Sequence, residues 1–258
     1  MLTHTPRFDV KLATTAEELR AAQRLRYEVF VAELGGGGDL VDHDARLERD
    51  AFDPLYEHLL LRDLARPADD LCGVVGVYRL LRDAALPAGR AFYSEGEYDL
   101  APLRATGRRL LELGRSCVHA DYRGGLAMMA LWGGLAEYVE AYGIEVLFGV
   151  ASFHGTDLDA LAAPLSLLHH RHMAPRDLRV RAQPDHFQTM NLIPEAQLDI
   201  VAANRAIPPL IKAYLRLGGG VGEGAFVDHA FNTTDVCLVM DTTRMSEKRK
   251  AFHIARVS

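Results

Sequence analysis

Glu112 and Arg115 stand close together in an apolar run, Leu110 to Val118, that breaks into the turn Tyr122-Arg123-Gly124-Gly125. A small-residue helix is expected to start at Leu126, directly after the turn. A strand that hands a Gly-rich turn to a helix N-terminus makes a natural anion cradle. Backbone N–H groups without helical partners and the positive end of the helix dipole point at the same place. Arg123, Gly124 and Gly125 are therefore candidate phosphate contacts, with Leu126 to Trp132 behind them. The plainer alternative, an ordinary tight turn, ranks lower because a strand precedes it and a helix follows. Arg26, Arg79 and Arg115 are candidates to hold a carboxylate, since a planar guanidinium binds one in two-point fashion. For Arg26 the competing reading is a solvated helix face. For Arg79 and Arg115 it is an internal ion pair with Asp50, Asp53 or Glu112. Asp39, Asp42, Asp44, Glu48, Asp50 and Asp53 crowd a loop around His43; of these Asp42, Asp44, Asp50 and Asp53 could meet an ammonium, although such a charge run is usually a solvated loop.

Other chemistries are disfavoured. Gly114-Arg115-Ser116-Cys117-Val118 lacks the second glycine of a nucleophile elbow, so Ser116 and Cys117 are poor covalent catalysts. His169, His170 and His172 look like a metal tract, but their spacing does not share one helix face and no acid completes a set; no metal is expected. Gly220-x-Gly222-x-x-Ala225 matches a dinucleotide fingerprint only as letters, because it precedes a strand-like segment instead of opening a helix. Cys72, Cys117 and Cys237 are odd in number and far apart, which points to buried or free thiols in a reducing compartment. A net charge of −6 argues against nucleic-acid binding. No run approaches a membrane span, so the expected location is cytoplasmic, with membrane contact at most peripheral.

The elements that would position these residues follow from periodicity. Phe8 to Leu12 alternates as a strand, and Thr14-Thr15 followed by Glu17-Glu18 caps a helix that the glycines 35–38 end. His58 to Leu64, Cys72 to Leu81, Leu110 to Val118 and Glu145 to Ser152 read as strands, and Phe92 to Leu100 as a strand or loop. Leu126 to Tyr142, Thr156 to His170 and the stretch from Pro208-Pro209 to Leu217 read as helices. Short strands are expected at 178–182 and 186–190, and two late strands at Val221 to Asp228 and Val236 to Asp241. The basic tail after Met245 reads as a helix or a frayed end. The whole is expected to be one α/β domain around a mostly antiparallel mixed sheet flanked by helices, with an extension from about residue 200.

Several spaced blocks then resemble a known family. Arg26-Tyr27-x-x-Phe30, Asp50-x-Phe52-Asp53, Val75-Gly76-x-Tyr78-Arg79-Leu80 and Glu112-Leu113-Gly114-Arg115-Ser116 recur in this order in the acyl-homoserine-lactone synthases and in the ornithine N-acyltransferases, both of the GNAT acyltransferase fold. The blocks from Pro208 to Gly218 and from Asp228 to Val236 resemble the ornithine acyltransferases. The chain departs from the lactone synthases in carrying no indole after its first helix, since Trp132 is its single tryptophan, and its phosphate turn is shorter than the usual GNAT pattern.

The resemblance implies transfer of a fatty or 3-hydroxyfatty acyl group from an acyl carrier protein thioester to the α-amine of ornithine. No cofactor is bound; the phosphopantetheine arm of the carrier protein is a co-substrate. Glu112 would be the base and Arg115 its catalytic neighbour. Arg26, Phe30, Asp50, Asp53 and Arg79 would bind the acceptor, and Val118, Arg123, Gly124, Gly125 and Leu126 the donor arm. A thioester is already activated, so proximity, a deprotonated amine and charge stabilisation suffice. Residues three apart on a regular strand face opposite ways. For Glu112 and Arg115 to serve one pocket, a β-bulge is expected near Gly114. Lys212, Arg216, Arg244 and Lys248 to Lys250 are candidate contacts for carrier protein or anionic lipid, each more often plain surface. Acylation of glutamine or glycine, lactone formation, and a non-catalytic carrier-protein or lipid-binding domain are the alternatives.

Overall fold

The computed structural model describes residues 4–244, apart from 67, 68, 70, 124 and 230. The elements in chain order are β1 (Phe8–Leu12), α1 (Ala16–Arg26), β2 (Glu57–Asp63), β3 (Val74–Arg82), β4 (Tyr98–Asp99), α2 (Ala101–Ala105), β5 (Leu110–Val118), α3 (Leu126–Tyr142), β6 (Val146–His154), α4 (Leu158–Arg171), β7 (Arg181–Ala182), β8 (Phe187–Gln188), α5 (Ile200–Ala206), α6 (Pro209–Arg216), β9 (Gly220–Val221), β10 (Ala225–Asp228) and β11 (Thr233–Asp241). The basic tail beyond Arg244 lies outside the described residues. No described helix is long and apolar enough to cross a membrane.

Two compact units emerge, one of residues 4–81 and 113–143, the other of 82–112 and 144–244. In the first, β1 pairs antiparallel with β2 and β2 with β3, and β5 is the next neighbour. Thr15 caps α1 by accepting from the Glu18 N–H at 3.2 Å. The Glu18 carboxylate turns back to the Thr14 N–H at 2.8 Å, so the expected capping box closes one residue early. Ala21, Ala22 and Leu25 recur at helical spacing and bury the inner face of α1 against Leu60, Val74, Val77 and Cys117. The Cys117 thiol is pushed up to about 12 by this burial, as expected of an inert core cysteine. Beyond Arg26 the helix continues as a π-helix, Tyr27–Glu33, where a regular ending was expected. Gly35, at φ 72°, then leads into the glycine turn.

In the second unit β5 runs parallel to β6 over Leu110–Glu112, while β6 and β11 pair antiparallel along their whole lengths. β10 and β9 each lie antiparallel to β11, and β8 joins β10. The Tyr98 hydroxyl pins this unit by donating toward the carbonyls of Gly224 (3.0 Å) and Asp235 (2.9 Å). Residues 93–96 form a 3-10 turn, and α2 and α5 are elements that periodicity did not reveal. Both helices are short. The Asp199 cap, accepting from the N–H groups of Val201 and Ala202, was the available signal for α5.

The first unit contains one tight approach that permits a test. A Cβ on Gly134 of α3 would meet the Val10 Cγ1 of β1 at 2.3 Å. Valine is stiff at χ1 and cannot swing away. The overlap outweighs the ~1 kcal/mol of helix propensity that alanine adds. Gly134→Ala is expected to destabilise the protein by about 1–3 kcal/mol in urea denaturation, and Val10→Ala in that background to restore part of the loss.

Candidate active site

Four of the acceptor-binding candidates, Arg26, Asp50, Asp53 and Arg79, converge in the first unit with Arg115 and with Glu48 of the acidic loop. Arg26 ends α1 with no solvent exposure. Its Nε donates to Glu48, and its Nη1 donates to Asp53 Oδ1 at 2.7 Å. Arg79, equally buried on β3, donates from Nη1 to Asp50 Oδ1 (2.7 Å) and Asp53 Oδ1 (2.8 Å). Arg115 donates from Nε to Glu48 Oε1 (3.1 Å) and from Nη2 to Asp50 Oδ2 (3.2 Å). Each arginine thus touches two acids and each acid two arginines. The six side chains close into a ring of alternating charge.

Neighbouring groups hold the ring. Asp50 Oδ1 also accepts the backbone N–H groups of Phe52 (2.9 Å) and Asp53 (3.0 Å), which folds the loop back on itself. Gln23 donates to Asp53 Oδ2 at 2.9 Å, and the Tyr56 ring lies 4.5 Å from the Arg79 guanidinium carbon. The solvated-face reading of Arg26 is therefore corrected, and the internal ion pairing weighed for Arg79 and Arg115 is observed. Arg79 and Arg115 pair with Asp50, and Arg79 with Asp53. Phe30 lies in the π-helix, half-buried against the core around α1.

Burial raises Asp53, but the Arg26 guanidinium, followed by that of Arg79, more than reverses this and holds its carboxyl down at about 2. Asp50 is likewise lowered: Arg79 and then Arg115 overcome its burial. His58 on β2 is buried, with Nε2 3.3 Å from the Asp53 carbonyl oxygen. That burial, against the pull of the Asp53 carboxylate, drives His58 down to about 4, so its ring is neutral at pH 7.

β5 is not a regular strand. Arg115 sits at φ 49°, in the left-handed region, one residue beyond the Gly114 where a bulge was expected. Gly114 keeps its missing side chain toward Arg79, whose Nε and Nη2 would be 3.8 Å from a Cβ. Glu112 belongs to the second unit and is buried. Its Oε1 accepts the Ser94 N–H at 2.6 Å and its Oε2 the Tyr93 N–H at 3.1 Å. It therefore anchors the 93–96 turn, a role no spacing in the sequence announced.

The donor-arm candidates lie at the end of β5 and the start of α3. The His119 N–H donates to the Val75 carbonyl at 2.9 Å, and the Tyr122 hydroxyl to Asp63 Oδ2 at 2.8 Å, so the turn is tied to β3 and β2. Arg123 donates from Nε to the Val118 carbonyl (3.0 Å) and from Nη2 to Glu33 Oε2 (2.7 Å). Val118 is buried, Leu126 is 71% exposed, and Gly124 is outside the described residues. Gly125 precedes α3 at φ 113°, and neither a side-chain cap nor an acid occupies the first turn of that helix. The 17-residue helix thus presents its dipole to the turn, as an anion cradle requires.

Other candidates have partners within the chain. His170 contacts the Ile193 carbonyl at 2.9 Å, and no metal-ligand cluster occurs among the described residues. Lys212 donates to the Arg205 carbonyl and Arg244 to Asp177.

The ring and its neighbour imply a pH response of definite sign. Between pH 6.5 and about 4 the unfolded chain binds a proton that folded His58 refuses, so stability falls as pH falls through this window. Asp53 is depressed instead, so its stabilisation is present above pH 3.8 and is lost as pH falls toward about 2. Each loss is on the order of 2–3 kcal/mol. Urea denaturation at pH 7, 5 and 4 is expected to show a decline in wild type that His58→Gln flattens. An undiminished decline in that variant would remove His58 as its cause.

Comparison with known proteins places this geometry. Residues 25–133 match the acetyltransferase (GNAT) domain. The chain is 62% identical over 251 residues to the L-ornithine N(alpha)-acyltransferase of Rhodobacter capsulatus, covering 97% of this chain and 96% of that protein. It is 39% identical over 252 residues to the enzyme of the same name from Brucella abortus, covering 97% and 90%. Among solved structures, FeeM, an N-acyl amino acid synthase from uncultured soil microbes, superposes with a TM-score of 0.51 at 12% identity, covering 93% of each chain. The CoA-dependent acyl-homoserine lactone synthase BjaI gives 0.51 at 16% identity over 94% of this chain and 82% of its own. These two likenesses establish the fold, an α/β GNAT acyltransferase with a mixed sheet and flanking helices. Identity across almost the whole length establishes the rest: this chain belongs to the L-ornithine N(alpha)-acyltransferase family.

Proposed function

We propose that the chain, working as one acyltransferase domain, transfers a fatty acyl group from the thioester of an acyl carrier protein to the α-amine of ornithine, forming lyso-ornithine lipid. The observation that carries this reading is family membership over 97% of the chain. The charge ring supports it, because it presents a guanidinium suited to the acceptor carboxylate and a carboxylate suited to the side-chain ammonium of ornithine. The acceptor carboxylate binds Arg115, the one arginine of the ring whose side chain is partly exposed, at 22%. Arg26, Asp53 and Arg79 act from behind as supports, and Phe30 shapes the apolar side of the acceptor pocket.

The phosphate of the phosphopantetheine arm binds Arg123 and the N–H groups around Gly124, Gly125 and Leu126, with Val118 beside the arm. Phosphate replaces Glu33 on the Arg123 guanidinium. That exchange is feasible because an exposed ion pair of this kind contributes only about 0–1 kcal/mol. Glu112 takes the proton of the attacking ammonium, directly or through a water, and its two backbone hydrogen bonds hold the carboxylate in one orientation. The amine nitrogen attacks the thioester carbonyl, the carbon–sulfur bond breaks, and the carrier-protein thiol leaves with a proton. The site needs no resident cofactor or metal for this step. The setting is the cytoplasm, with the lipid product passing to a membrane surface.

Incubating the purified chain with 3-hydroxyacyl carrier protein and ornithine, and weighing the product by mass spectrometry, tests the reading. Glu112→Gln is expected to lose most turnover while still binding carrier protein. The variant also turns an amide NH2 toward a backbone N–H, which costs about 1–3 kcal/mol, so its melting curve must accompany the assay. Wild-type turnover in the folded variant would remove Glu112 from the chemistry. Arg123→Ala is expected to raise the KM for the donor roughly tenfold, matching loss of one charge-assisted contact, with kcat little changed. Absence of any acylated amine would leave a binding domain as the surviving reading.

A further inference from the structure

The ring Arg26–Glu48–Arg115–Asp50–Arg79–Asp53 holds three cations and three anions, so it is neutral as it stands. Its links are not equivalent. Within the ring the links of Arg115 are the two longest, at 3.1 and 3.2 Å, and Arg115 and Asp50 are the members that reach solvent, with side chains 22% and 21% exposed. The ring therefore opens most easily between Arg115 Nη2 and Asp50 Oδ2. Asp50 need not move for this to happen. Its Oδ1 stays on Arg79 and on the N–H groups of Phe52 and Asp53, and only Oδ2 changes partner.

An acceptor with a neutral side chain, once its α-amine has given up its proton to react, carries only the carboxylate charge and would leave a surplus negative charge on a largely buried ring, which a low-dielectric site penalises. An acceptor carrying a carboxylate and a side-chain cation can enter the gap as two further alternating members. Its carboxylate then faces Arg115 and its cation faces Asp50, and neutrality is kept. We propose that this alternation makes Asp50 the specificity-determining residue, selecting amino acids with a terminal side-chain ammonium over neutral amino acids of the same length. Discrimination comes from the surplus charge left by the wrong acceptor as much as from the contact made by the right one. The inference rests on the acyl-transfer reading above. Within it, Asp50 is assigned to the substrate ammonium, Asp53 stays paired with Arg26 and Arg79, and Glu48 becomes a positioning residue for Arg115.

Norvaline is ornithine without its terminal amine and is the discriminating probe. Wild type, supplied with 3-hydroxyacyl carrier protein, is expected to prefer ornithine over norvaline by at least about 100-fold in kcat/KM, as a site built around a polar substrate group does. Asp50→Asn keeps Oδ1 for its hydrogen bonds and is expected to shrink that ratio at least about tenfold, chiefly by losing ornithine. Asp53→Asn is expected to lower both amines alike. Taking the ratio on one preparation cancels any unfolded fraction. Where a variant turns over neither amine, calorimetric binding of ornithine and norvaline supplies the same ratio. Ornithine acylation with a ratio unchanged by Asp50→Asn, or shifted equally by Asp53→Asn, would overturn the inference and leave the acyl-transfer reading intact. A wild-type chain that acylates neither amine would overturn both.

Discussion

Three arginines inside one unit of a protein are tolerable only if their charges are matched where they stand. Desolvating a guanidinium costs several kcal/mol, and removing one member of a buried pair strands the other. Here the matching is circular. Arg26 from the end of α1, Arg79 from β3 and Arg115 from β5 are joined by three acids that all come from the loop between α1 and β2. That loop has almost no regular structure, and its path is set by delivering Glu48, Asp50 and Asp53 to the three guanidinium groups. The irregular part of the first unit is thus ordered by charge, while the helix and strands around it are ordered by apolar burial.

The same requirement goes with a local departure from regularity. Arg115 adopts a left-handed backbone that a non-glycine residue rarely accepts, and its side chain reaches both Glu48 and Asp50. Gly114 runs past the Arg79 guanidinium, where a Cβ would stand in ordinary contact at 3.8 Å. At the other end of β5, Glu112 holds a turn of the second unit by two backbone N–H bonds.

The donor side rests on simpler physics. Tyr122 and His119 tie the turn to neighbouring strands, and Gly125 supplies the positive φ from which α3 starts. Arg123 rests on Glu33, the last residue of the π-helix that follows Arg26. The segment that begins at one end with the charge ring thus ends at the other against the proposed phosphate ligand. Substrate on either side would act on the same short stretch of irregular helix, a kind of segment often found at functional sites.

Much was legible in the chain itself. Periodicity marked β1, β5, α3 and the strands flanking them, because apolar residues at a fixed spacing must face a core whatever the partner is. The spaced blocks around Arg26, Asp50, Arg79 and Glu112 pointed to the acyltransferase family, since each block keeps its own local register. Glu48 was not distinguishable from the other acids of its loop, because nothing in local spacing tells a solvated carboxylate from one that will meet two buried arginines. The anchoring of residues 93–96 by Glu112, the π-helix after Arg26 and the closure of six charges into one ring were likewise invisible. They depend on contacts between residues tens of positions apart. The sequence alone determined which charged residues the protein has and which elements carry them. Only the tertiary structure decided which charges neutralise one another, because burial sets the cost of an unmatched charge and burial exists only once the chain has folded.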